Sequence, residues 1–170
     1  MTEERRTGRM KKLERQFVRE LGDVFARKYE MSFEDLVKAF KAVETHYVEL
    51  ETKPFLILET KRRVAEWTLM AATDKRCPYE TCRAQLDHLF QLGFTNLQTK
   101  ATMCIIFARF CRATRHAREG IELLEPVVEE LQSELNRKGI TRHEKEFWSD
   151  LLNHTEVALR KLRESISPTT

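Results

Sequence analysis

An all-α protein is what this sequence predicts, and three observations carry the prediction. Charged residues make up 34% of the 170, whereas glycines number five and prolines four, so few positions break a helix. Apolar residues recur every three or four positions along most of the chain, and the alternation expected of strands is hard to find. Helix-starting and helix-stopping residues interrupt that recurrence at short intervals. Together they divide the chain into seven antiparallel helices, because a short connection leaves the chain no course but to double back.

A polar N-terminal tail leads into the first helix, about Arg9 to Tyr29, with Leu13, Phe17, Leu21, Val24 and Phe25 on one face. Gly22 weakens that helix by about 1 kcal/mol relative to alanine, and such a residue marks a place where another helix approaches closely. Ser32 and Asp35 form a capping box for the second helix, Phe33 to Glu51, which buries Leu36, Val37, Phe40, Val43 and Tyr47. Pro54 suits the first turn of the third helix, about Phe55 to Thr73, because the N–H it lacks would be unsatisfied there anyway. Pro78 opens the fourth, with Tyr79, Cys82, Leu86, Leu89 and Phe90 inward, and Gly93 stops it.

Asn96 caps the fifth helix, whose run from Met103 to Ala113 carries charge only at Arg109 and Arg112. A stretch so apolar belongs at the centre of a fold. The chain turns at Thr114 to His116 into a sixth helix with a stripe of Gly120, Leu124, Val127, Leu131 and Leu135. Pro126 lies inside it and is expected to kink it, since the ring clashes with the carbonyl of Glu122. Gly139 is expected to end this helix. Thr141 and Glu144 make a second capping box for the seventh, which runs to about Ser165 ahead of a loose tail.

The length fits one helical domain over 1–170, made of helix pairs at 9–51, 55–93 and 97–138 and a last helix at 141–165. Thirty basic and 27 acidic residues leave a net charge of only +3, which permits contact with an acidic surface without demanding it. Cys77, Cys82, Cys104 and Cys111 fall within helical patterns and read as reduced and buried, pointing to a cytoplasmic protein. The basic N-terminus lacks the apolar core of a secretory signal, and the run at Met103 is too short and too charged to span a bilayer.

The segment from Leu21 to Val43 resembles a tetratricopeptide repeat: Leu21, Gly22 and Phe25 take its first-helix positions, and Leu36, Phe40 and Val43 its second. A second unit aligns Leu69, Met70, Cys82, Leu86 and Leu89, and a third Phe107, Ala108, Cys111, Gly120, Leu124 and Val127. The units are spaced more widely than the usual 34 residues, and the proline that closes the repeat is missing. The resemblance implies a right-handed helical array with the seventh helix capping its open end. Gly22, Asp23, Phe25, Tyr29 and Phe33 also resemble the third homology segment of the Bcl-2 family, without that family's Asn-Trp-Gly-Arg motif downstream.

The repeat resemblance implies a groove lined by the first helix of each pair, at Gln16, Arg19, Asp23 and Arg27, then Val64, Trp67, Ala71 and Asp74, then Thr102, Ile105, Arg109 and Arg112. Arginines beside a tryptophan suit a peptide or partner helix bearing carboxylates, with Arg19, Asp23, Trp67, Ile105, Arg109 and Arg112 as its contacts. The other reading is that Arg109 and Arg112 only pair with glutamates of a neighbouring helix. Arg112, Arg115 and Arg118 continue the run, with Lys61, Arg62 and Arg63 elsewhere, and a helical regulator following a phosphate backbone is the alternative class. No nucleophile motif, phosphate loop or zinc-protease signature is present, so a non-catalytic protein without cofactor or metal is expected. Cys104 and Cys111 lie two turns apart on one helix, unlike the tight paired spacing of zinc ligands in loops. Three helix pairs are few, and a homodimer would cover an exposed face.

Overall fold

The computed structural model describes the chain from residue 3 to residue 166, with side chains from residue 12 onward. These residues form an all-α fold of seven helices without a strand: α1 (Glu3–Ala26), α2 (Phe33–Leu50), α3 (Pro54–Asp74), α4 (Tyr79–Leu92), α5 (Leu97–Ala113), α6 (Ala117–Leu135) and α7 (Arg142–Ile166). The helices belong to two compact units, α1 to α3 ending at Cys77 and α4 to α7 beginning at Pro78.

Helix starts follow local chemistry. Ser32 Oγ accepts the Asp35 N–H at 3.1 Å, and Asn96 Oδ1 accepts that of Thr99 at 2.8 Å. Ahead of α7 the capping box is reciprocal: Thr141 Oγ1 accepts the Glu144 N–H at 3.2 Å while Glu144 Oε2 accepts the Thr141 N–H at 2.9 Å. These bonds satisfy N–H groups that have no partner within the helix. Gly93 closes α4 with φ 71° and ψ 163°, a conformation in which a Cβ would clash.

In the first unit α2 packs against both α1 and α3. The core holds Phe17, Leu21, Leu36, Phe40, Tyr47, Val64 and Ala71. Phe17 and Tyr47 meet with centroids 4.9 Å apart, and the Tyr47 hydroxyl donates to Glu20 Oε1 at 3.0 Å. Burial, reinforced by that carboxylate, pushes the Tyr47 hydroxyl up to about 12. Lys75, just past α3, donates to the carbonyls of Lys28 at 2.6 Å and Met31 at 2.8 Å, while Lys28 Nζ lies 3.1 Å from Asp74. The turn after α1 is thereby stitched to the end of α3 by charge-assisted bonds.

In the second unit α5 packs with α4, α6 and α7, and α7 with both α5 and α6. Eight residues of α5 are buried, among them Met103, Phe107, Phe110 and Cys111. The sixth helix turns Gly120, Leu124, Val127 and Leu131 inward. A Cβ on Gly120 would stand 3.0 Å from Leu162 Cδ2 and 3.2 Å from Cys111 Cβ, so glycine lets α6 sit close to its neighbours. In both units buried threonines, Thr68 and Thr73 in the first and Thr155 in the second, donate to carbonyls of their own helices four residues back. Among the described residues, no buried side-chain polar atom lacks a partner.

Several sequence expectations need correction. The first helix begins at Glu3, six residues before Arg9. The added residues, Glu3 to Gly8, hold no proline, and their glutamates and arginines favour helix although Thr7 and Gly8 do not. Gly22 marks no close approach, since a Cβ there would meet nothing within 4 Å. The sixth helix stops at Leu135, where the Asn136 N–H bonds back to the carbonyls of Gln132 and Ser133, and Gly139 (φ 81°) lies beyond in the following turn. Pro126 lies inside α6, where the sequence places it. Both Pro126 and Glu122 are exposed, so water can reach the carbonyl that loses its donor. Of the tail expected to be loose, Ser165 and Ile166 are helical, and residues 167–170 lie outside the described residues.

Candidate partner-binding surface

The exposed stripe of α5 carries Gln98, Thr102, Arg109 and Arg112, residues that helical periodicity places along one side. Its buried sides hold the apolar run, so the two arginines are left pointing outward by the same pattern that builds the core. Arg115 and Arg118 follow in the turn and in the first turn of α6, both exposed. None of these four makes an ion pair with a described residue, whereas Arg63, Arg83, Arg137, Arg142, Arg160 and Arg163 each hold a carboxylate. Arg109 and Arg112 are therefore not engaged by glutamates of a neighbouring helix among the described residues.

The turn that carries Arg115 is firmly built. Its backbone takes φ 67°, and the His116 N–H bonds to the Cys111 carbonyl at 2.8 Å, closing α5 with a Schellman-type cap. Such a cap usually holds glycine; arginine there costs about 1 kcal/mol. The His116 ring stacks on Tyr79 at 3.6 Å with an interplanar angle of 11°. His116 Nδ1 lies 3.4 Å from Glu119 Oε1. A bond from its own backbone N–H, then His116, holds the Glu119 carboxyl below its usual range, while burial raises the Tyr79 hydroxyl. Arg83, which also acts on Tyr79 and Glu119, pairs with Asp87 at 2.9 Å. These contacts fix the turn, while Arg115 itself stays exposed.

The other predicted contacts are distributed differently. Arg19 and Asp23 are exposed on α1, and Trp67 is half-buried on α3 with Phe25 at its ring edge, 5.2 Å away. All three belong to the first unit, whereas Arg109 and Arg112 belong to the second. Ile105 is only 7% exposed and belongs to the core, so it offers no anchor to a partner. Val64 and Ala71 are buried as well. In the second basic cluster, Arg63 lies against Glu59 and Glu14.

An apolar cleft in the first unit, lined in part by exposed Leu50 and by Leu56, has no counterpart in the sequence reading. A signal for it exists in Phe55 to Leu58, four consecutive apolar residues at a helix start, because successive residues point about 100° apart and all four cannot face one core.

The four cysteines are thiols outside any disulfide, with Cys82, Cys104 and Cys111 buried. Burial pushes the thiols of Cys104 and Cys111 up to about 12, which keeps them protonated and poor nucleophiles near neutral pH. Among the described residues, no three His, Cys, Asp or Glu side chains gather as metal ligands, and no helix is long and apolar enough to cross a membrane. No protein-family model, curated protein or solved structure matches the chain.

Proposed function

We propose that this chain is a non-catalytic, cytoplasmic protein-interaction domain, an adaptor or scaffold that holds an acidic peptide or partner helix against the outer face of α5. The observation that carries this reading is the exposure of Arg109 and Arg112 without an ion pair among the described residues, on a helix whose remaining sides are buried. A guanidinium can hold a carboxylate bidentately, and a rigid helix keeps the two at fixed spacing.

In the same reading, α5 and α6 form a tetratricopeptide-like pair and α7 a capping helix. Two features support that likeness. Gly120 occupies the position where the repeat needs a small residue, and α6 is closely approached there. The helices α3 and α5 also end alike: the Cys77 N–H bonds to the Ala72 carbonyl at 3.0 Å, as His116 does to Cys111, with Arg76 (φ 53°) in the place of Arg115.

Affinity capture from the native source at moderate salt, with nuclease treatment, compares wild type with Arg109→Glu/Arg112→Glu. The expected result is a protein partner retained after nuclease and lost, by at least about tenfold, in the variant, the scale of one charge-assisted contact. A partner held equally by both proteins would refute the α5 reading.

Nucleic acid is the second reading, favoured by the continuation of the exposed run through Arg115 and Arg118, which make no ion pair among the described residues. It requires partners that disappear with nuclease, affinity that falls steeply as salt rises, and loss of binding in Arg115→Glu/Arg118→Glu.

A further inference from the structure

His116 sits at the start of α6 between Arg115 and Arg118, and a histidine changes its charge near neutral pH. From His88 to Arg118 the chain holds no Asp or Glu, so Glu119 is the first carboxylate that follows the basic run. His116 stands against that carboxylate, with Nδ1 3.4 Å from Oε1 and the two side chains 35% and 40% exposed. Its ring lies flat on Tyr79, centroids 3.6 Å apart. An imidazolium in this place therefore has two attractive neighbours, a carboxylate and the face of a phenol ring. The backbone bond from His116 to the Cys111 carbonyl anchors the residue whichever charge its ring carries.

Ionisable groups reach this turn from each neighbouring helix. Helix α4 brings Tyr79, Arg83 and exposed Glu80, α5 brings Cys111 and Arg112, and α6 brings Arg118 and Glu119. Helix α7 meets α6 at Leu162, whose neighbours are Lys161 and Arg163, the latter bound to Glu125. Residues 167–170 bear no ionisable side chain. Burial pushes the Cys111 thiol up to about 12 and raises the Tyr79 hydroxyl, so both stay neutral near pH 7, while Glu119, held below its usual range, stays charged. His116 is the histidine of this group, and so the member that changes charge between about pH 5 and 8. We infer that the α5 surface is proton-gated: protonation of His116 answers Glu119 and adds a positive charge to the run from Arg109 to Arg118, so that an acidic partner is held more tightly as pH falls. With a neutral imidazole, Glu119 opposes the partner's carboxylates beside Arg115 and Arg118; with an imidazolium it is answered locally. The inference rests on the acidic partner proposed for α5.

Fluorescence anisotropy of a labelled aspartate-rich peptide with the full chain at low salt, from about pH 5.5 to about pH 7.5, tests it, because aspartate stays ionised across that range. Wild type is expected to bind about threefold more tightly at the acid end, the scale of one exposed ion pair. His116→Gln cannot take a charge and is expected to lose that response, binding throughout as wild type does at the alkaline end. Glu119→Gln leaves the His116 ring in place and is expected to bind more tightly than wild type at the alkaline end, because the opposing carboxylate is gone. His154→Gln removes another histidine beside a carboxylate, 3.6 Å from Asp150 on α7, and is expected to keep the full response. Wild-type binding that does not vary with pH, or that varies as much in His116→Gln, overturns the inference. If that binding is still lost in Arg109→Glu/Arg112→Glu, the α5 reading stands without the gate. A response lost equally in His154→Gln, or Glu119→Gln binding no better than wild type at the alkaline end, overturns the gate too. Failure of wild type to bind the peptide at any pH overturns both.

Discussion

Gly22 and Gly120 are both interior glycines of helices, and the units around them treat them in opposite ways. Around Gly120 the second unit is tight, with Leu162 and Cys111 already where a methyl group would go. Around Gly22 there is open space, so the first unit gains nothing from its glycine. The contrast extends to polar groups. The first unit ties its ends together with the Lys75 and Lys28 contacts and keeps Glu66 half-buried on α3. The second places small residues, Ala101, Cys104, Ala108 and Cys111, on a fully buried helix face. Close helix approach is thus a property of α5 and its partners, and a helical glycine alone does not identify it.

Overfilling the tight site should have the largest effect. Gly120→Val is expected to lower unfolding free energy by about 2–3 kcal/mol in urea titrations, because Leu162 is 1% exposed and has little room to yield. A loss below about 0.5 kcal/mol would break the contrast, since that is the scale of an ordinary surface substitution.

Next comes Glu66, whose carboxyl burial pushes up to about 7 from an ordinary 4.5, against the opposing pull of Arg63. A carboxyl that binds its proton more tightly when folded favours the fold below its unfolded pKa. That advantage disappears as pH rises through about 7. Wild-type stability should therefore fall by about 1 kcal/mol between acid and mildly alkaline pH, with partial exposure discounting the full shift. Glu66→Gln should flatten that slope, and identical pH profiles for the two proteins would show that Glu66 does not titrate in this range. Smallest is Gly22→Ala, expected to stabilise by about 0.5–1 kcal/mol through helix propensity and a less flexible unfolded chain. Destabilisation instead would mean that the space beside Gly22 is needed.

The number and order of helices are legible in the sequence because their signals are local. The capping residues Ser32, Asn96 and Thr141 act within three residues of themselves, as the bonds they make show. The inward stripe from Gly120 to Leu131 is also readable, since periodicity alone sets it. Exposure of Arg109 and Arg112 is readable for the same reason: they are the charged interruptions of an apolar run. Ile105 is not, because a residue at the border of a stripe is buried or exposed according to what packs there. The two units are equally hidden, being defined by contacts distant in sequence. The roles of Gly22 and Gly120 differ only through neighbours such as Leu162, 42 positions beyond the second of them.

The arginine held at φ 67° between α5 and α6 has an evolutionary corollary. Backbone energetics there favour glycine, while attraction to an anionic partner, as proposed above, would favour arginine. Selection of variants for heat resistance alone would drift toward glycine at position 115 and shorten the basic run. Selection for capture of an acidic partner would hold arginine in place despite the strain, and the residue that prevails would reveal which pressure has been stronger.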